Sequence, residues 1–281
     1  MIDPQAVVVA KSAFESDDVY AIVGSNVDVV NALQEEYLTL LEISPDAVRS
    51  YYADYLVAEL ANGGFSQFVY NSCWDHDVIR WTREGLTAMG ATQHLALLAR
   101  GEEMLEGLGP EGRESFYESE YFGENQERDY LSALDEEFAA TGEAEDVIAL
   151  NAAWLRSLPN LVVLTDEEII AMVEARGAAL PDREARIAEA EANEPRYLTL
   201  IRALCEKAGH ELEDITAADN NGFFEGEQTF AWHFITDKGH HHMVDVNGVG
   251  VMFVGDTQEE VCRVEMPDDE DDEDDEDEND E

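Results

Sequence analysis

The run SPDAVRSYYADYLVAELANGGFSQFVYN, residues 44–71, carries its own punctuation. Ser44 is an N-cap residue, Pro45 suits the first helical position because its missing N–H would be unpaired there anyway, and Asp46 suits the positive end of the helix dipole. Val48, Tyr51, Tyr52, Tyr55, Leu56, Glu59 and Leu60 then recur at helical spacing. Asn62-Gly63-Gly64 ends that helix, since glycine takes the left-handed conformation that a helix terminus needs. Phe65 and Phe68 follow as packing residues.

Working outward, the pattern stays helical from Asp28 to about Asn160. The spacing predicts helices over Asp75–Met89, stopped at Gly90, and over Gln93–Leu108, broken by Gly109-Pro110. Two more are expected around Asn125–Phe138, with Tyr130, Leu131, Leu134 and Phe138 as one apolar stripe, and around Glu143–Leu155. Leu158-Pro159-Asn160 reads as a boundary. Beyond it, Thr165-Asp166-Glu167-Glu168 is a capping box opening a helix to about Ala178, and helices near Asp182–Ala192 and Pro195–Ala208 end at Gly209. In residues 229–265 the period changes to alternation, and Asn247-Gly248 is a strong hairpin signal between two apolar runs, so a small antiparallel sheet of three or four strands is expected.

The fold class is therefore α+β and predominantly helical. A helical bundle over residues 1–160 precedes a smaller helix-plus-sheet domain over 161–265. Residues 266–281 form an acidic tail too polar to bury a core, expected to be disordered.

Charge is the other dominant feature: 65 acidic against 16 basic residues, a formal −49. Removing the 13 acids of the tail from Asp268 to Glu281 leaves −36, so the folded body is itself strongly acidic. Between Glu102 and Asp146 stand 16 acidic residues, with only Arg113 and Arg128 to oppose them. Such a surface raises solubility and attracts basic partners from a distance. It argues against direct binding of nucleic acid or anionic membrane, which relies on Lys and Arg.

No apolar run reaches the ~18 residues of a membrane span, and the N-terminus lacks a basic n-region, so a cytoplasmic protein is expected. Cys73, Cys205 and Cys262 are few and far apart, which indicates neither a disulfide framework nor a zinc motif. His240-His241-His242 with His233 offers imidazoles, but consecutive strand residues alternate faces, so at most two of the three converge. Ala217–Gly222 resembles the middle of a calcium loop, yet Ala217 and Gln228 stand where ligands are required. No phosphate loop, nucleophile elbow or dinucleotide fingerprint occurs, and no cofactor, metal or enzymatic activity is expected.

Asn62-Gly63-Gly64-Phe65-Ser66-Gln67-Phe68 with Asn71 resembles the NGGF.QF..N signature of a bacterial family of DNA-mimic proteins, otherwise a domain of unknown function. Gly85-Leu86-Thr87-Ala88-Met89-Gly90-Ala91 and Leu134-Asp135-Glu136-Glu137-Phe138 look like its L..iGA and LD..F elements. Together these cover about residues 45–140. The resemblance implies a mostly helical domain which, in the family's named member, presents carboxylates like a DNA backbone and blocks a transcription factor. The motif residues themselves look like fold determinants. Gln67 and Asn71, at i and i+4, share a helix face and are expected to bond to backbone across a helix joint.

The carboxylates assigned to partner binding are Glu111, Glu114, Glu118, Glu120, Glu124, Glu127, Asp129 and Asp135. Pairs at i and i+4, such as Glu114 and Glu118, lie ~5–6 Å apart on a helix, a spacing with which a row can imitate a phosphate track. The expected partner is a basic DNA-binding protein such as a transcription factor, with homodimerisation left open. Other readings stay open: inhibition of a basic toxin such as a nuclease, a small-ligand or metal role, or acidity selected by a salty cytoplasm, which the ratio of 3 lysines to 13 arginines also fits.

Overall fold

A computed structural model describes residues 2–118, 124–224, 227–246, 248–255, 257 and 259–265; Glu120 and the acidic tail lie outside them. In chain order the elements are β1 (Val7–Ala10), α1 (Lys11–Phe14), α2 (Val19–Glu35), α3 (Pro45–Ser72), α4 (His76–Met89), α5 (Thr92–Gly107), α6 (Gly109–Glu118), α7 (Gln126–Leu131), α8 (Asp135–Ala144) and α9 (Val147–Ser157). There follow β2 (Leu161–Leu164), α10 (Asp166–Ala178), α11 (Arg183–Ala192), α12 (Arg196–Ala208), β3 (Leu212–Phe224), β4 (Glu227–Thr236), β5 (Gly239–Val246), β6 (Val249–Val254) and β7 (Glu260–Glu265). The fold is α+β and mainly helical. The chain divides into two compact units at Arg186/Ile187, within α11.

Local signals placed most helix ends. Asp75 caps α4 by accepting from the N–H groups of Asp77 and Val78, and Gly90 closes it in the left-handed region. Thr165 and Glu168 form a reciprocal capping box on α10, and Gly209 closes α12. The helix expected over Asn125–Phe138 is broken: α7 passes through a 3-10 turn at Ser132–Leu134 before α8 begins at Asp135. The helix expected from Glu143 begins instead at Val147, because Asp146 caps it by accepting from the Ala149 N–H at 2.9 Å.

The first unit also holds a two-stranded parallel sheet of β1 and β2, with Val7 opposite Leu161 and Ala10 opposite Leu164. This pairing carries the first unit past residue 160, where the composition suggested a boundary. Val7 and Val9 are fully buried, joining Ile22, Val23 and Val30 of α2 and Val48 of α3 in one core. A second core gathers Leu56, Phe65, Phe68, Leu86, Leu98, Leu131, Leu134 and Phe138, with Tyr55 and Leu60 half-buried against it. Burial of each large side chain stabilises by about 1.5–3 kcal/mol.

In the second unit the sheet is an antiparallel meander in the order β3-β4-β5-β6-β7. The extra strand, β3, begins at Leu212 in a stretch rich in Asp, Asn and Ala, and pairing with the aromatic β4 holds it extended. Helix α12 covers one face, seating Leu200, Ile201 and Leu204 on Phe234, Met243 and Met252. Tyr197 stacks on Trp232 with ring centroids 3.7 Å apart. On the opposite face Phe224 of β3 reaches Phe253 of β6 at 5.9 Å, although two strands separate them in the order, so the sheet curls.

Alternation sorts the histidines as expected. His233 lies opposite His242, and its Nδ1 is 3.1 Å from Nε2 of His240 on the same face. His241 points to the other side, buried against Phe234 and His210. Burial lowers the His241 pKa, a shift opposed by the Gly239 carbonyl and Asp237 and reinforced by His210 and His240. The unfolded chain thus takes up this proton first, so the contribution is present above pH ~6.5 and is lost as pH falls below it. The second unit's melting temperature is expected to drop between about pH 7.5 and 5.5, and less so in His241→Gln. Equal drops in both chains, followed by Trp232 fluorescence, would assign the effect elsewhere.

Candidate functional site

The glycine pair does more than end a helix. Gly63 remains helical, whereas Gly64 adopts φ 81° and ψ −169°, a region essentially restricted to glycine, and the helix restarts at Phe65. A restarted helix has unpaired N–H groups. The Phe65 N–H is met by Asp135 Oδ1 at 2.7 Å, from a residue 70 positions away. A Cβ on Gly64 would lie 2.4 Å from Asp135 Oδ2, so glycine is also what lets the carboxylate approach.

The other motif residues complete this joint. Phe138, one helical turn after Asp135, stacks on Phe65 with centroids 5.5 Å apart, and Trp74 sets its edge on both Phe65 and Phe68. Gly101 of α5 makes room for the Phe65 ring: a Cβ there would stand 2.0 Å from Phe65 Cζ. Gln67 and Asn71 do share a face, but their partner is the Glu59 carboxylate across the kink, at 2.9 and 2.8 Å, rather than backbone. The motif builds a helix joint.

Around this joint the acidic residues separate into two kinds. Asp135 is half-buried and occupied by Phe65; burial raises its pKa, against the lowering effect of the Phe65 N–H and Ser132. It acts inside the fold, not on the outer face to which partner binding assigned it. Glu145 turns inward as well, accepting from the N–H groups of Gln93 and His94 and from the buried His94 ring at 2.9 Å. Burial raises its pKa, but these bonds outweigh that and hold it below the usual carboxylate range. Glu102 pairs with Arg83, Glu137 with Arg100 at 2.9 Å, and Asp129 with Arg128 at 2.8 Å.

The remaining carboxylates are outward charges. Glu111, Glu114 and Glu118 are exposed along α6, and Glu124 is exposed just ahead of Asn125, the residue that caps α7. Glu127, half-buried, sits in the first turn of α7. None of these five has an ion-pair partner among the described residues. Helices α5, α6 and α7 pack on one another, so exposed Glu103 and Glu106 of α5 belong to the same region. These two lie in the acidic stretch Glu102–Asp146 but are not among the carboxylates assigned to partner binding, although their i, i+3 spacing was a usable signal.

Gly64 and Phe65 of one motif thus meet Asp135 and Phe138 of another at a single joint. Residues 41–158 match the DMP19-like protein family. The match starts at Leu41, ahead of α3, ends at Leu158, after α9, and holds the joint and every carboxylate assigned to partner binding. The DMP19-like segment leaves out β1, β2, α10 and the second unit. No curated protein and no solved structure matches the chain. Among the described residues no helix is long and apolar enough to cross a membrane.

Proposed function

We propose that the chain is a non-enzymatic decoy that presents carboxylates in place of DNA phosphates and occupies a basic DNA-binding protein. The observation that supports it most is the set of exposed glutamates on α5, α6 and the turn before α7 that form no ion pair among the described residues, inside the DMP19-like segment. Charges left unpaired on a fold with so few bases keep their field available for a basic surface, and that field speeds encounter and selects the partner.

The test compares two fourfold variants with the same loss of charge. Replacing Glu111, Glu114, Glu118 and Glu124 by Gln should weaken binding to the basic partner captured from the native lysate by roughly tenfold or more at low salt, and less as salt screens the field. Replacing the exposed Asp17, Glu167, Glu174 and Glu184, which lie elsewhere on the first unit, by Asn or Gln should change binding only slightly. Equal losses from the two sets would reduce the proposal to a non-specific effect of net charge.

A further inference from the structure

The first unit contains a groove of about 850 Å³ between β2, α10 and the residues preceding β1, within the ~300–1,000 Å³ typical of small-molecule sites. Its walls are apolar: Leu38, Leu164, Met172 and Leu180, with Ala171 and Ala175 at successive turns of α10 and Ala179 at its C-cap. Three charged residues reach it, and two are engaged. Glu42 is gripped by Arg186 through both oxygens, at 2.6 and 2.9 Å, and with the Thr39 N–H this holds its pKa down to about 2. Glu168 is tied to the Thr165 N–H at 2.9 Å in the capping box.

Arg176 is different. Its Nη2 donates to the Glu42 carbonyl at 2.5 Å, but no carboxylate pairs with it among the described residues. Glu36, whose carboxylate lies beside Gly177, is held by Arg183 at 2.8 Å. A guanidinium has five N–H donors in a planar fork suited to a carboxylate. Burial lowers the Arg176 pKa, with only the Glu42 charge acting against it, so the cation is desolvated without full compensation. In a chain with 65 acidic residues, a cation at an apolar groove that no side-chain carboxylate among the described residues has claimed is poised for an anion from outside.

We infer that this groove binds a single-chain amphiphile with a carboxylate head, the head on Arg176 and the alkyl chain along Leu38, Leu164, Met172 and the alanine face of α10. The site stands apart from the carboxylates of the proposed decoy face. It would make occupancy by a small apolar acid a property of the first unit whether or not that unit binds a basic protein.

The probe is decanoate, titrated calorimetrically into the full chain at about 0.15 M salt, where the field of the acidic surface is screened beyond ~8 Å. Decanoate should bind one to one and about tenfold or more tighter than decanol, because a charge-assisted contact distinguishes them, while acetate should show no binding. Arg176→Gln should remove the preference for decanoate over decanol. Because Arg176 also anchors the Glu42 carbonyl, a second variant protects the test from misfolding: Ala175→Trp, at an exposed helix position, should fill the groove and abolish binding of both. Decanoate binding weaker than about 1 mM, equal affinity for decanol in the wild-type chain, or unchanged binding in Ala175→Trp would each overturn the inference.

Discussion

Gly64→Ala should unfold the first unit at much lower denaturant, with a loss of about 3 kcal/mol or more. Two costs combine. An L side chain at φ 81°, ψ −169° carries a strain of about 1–3 kcal/mol, and moving Asp135 off the Phe65 N–H leaves a buried donor unpaired for about another 1–3 kcal/mol. Gly63→Ala is the internal control: Gly63 is helical, and the atom its Cβ would meet belongs to the flexible Gln67 side chain. The helix propensity gained, about 1 kcal/mol, should offset much of the lost Gln67 contact. Equilibrium unfolding followed by circular dichroism separates the two, and similar losses at both glycines would show that the joint is not built as described.

The second large effect is at the ring that the joint positions. Phe65 is fully buried between Phe68, Trp74, Phe138 and the backbone of Gly101, so Phe65→Ala should cost about 3–5 kcal/mol through lost burial and the cavity left behind. Gly101→Ala should destabilise by about 1–3 kcal/mol through overpacking, because the ring that blocks its Cβ is held on all sides. In a Phe65→Leu background the same Gly101→Ala change should cost less. A double-mutant cycle with no coupling between the two positions would mean that Gly101 does not serve to admit the ring.

These two results bear on how much of the molecule could be read from its residues. Boundaries with a local cause were legible: Pro45 opening α3, although the Ser44 hydroxyl makes no capping bond, Asp75 and Gly90 bracketing α4, the Thr165 box on α10, and the hairpin that pairs Val246 with Val249. Elements that depend on a distant partner were not. Val7–Ala10 is too short to signal a strand by itself and becomes one only against Leu161–Leu164, and Asn160 ties to the Gln5 carbonyl across 155 positions. The strand β3 has little intrinsic preference for extension and takes its conformation from β4.

The candidate site divides along the same line. That α6 would carry exposed glutamates followed from its composition. That Asp135 would turn inward to a helix start 70 positions earlier did not, because the LD..F pattern singles out this acid without saying which backbone it meets. Which acids Arg83 and Arg100 would take is likewise settled by helix packing, not by spacing along the chain.

The most direct measurement is a competition experiment with the basic partner and its own duplex DNA, read by fluorescence anisotropy and by whether a ternary complex forms. A DNA decoy predicts mutual exclusion: this chain displaces the DNA, displacement weakens as salt rises, and no species containing all three is detected. The Glu111, Glu114, Glu118, Glu124→Gln variant should displace less at equal concentration. A stable complex in which the partner holds this chain and DNA at once would contradict the proposal at its centre.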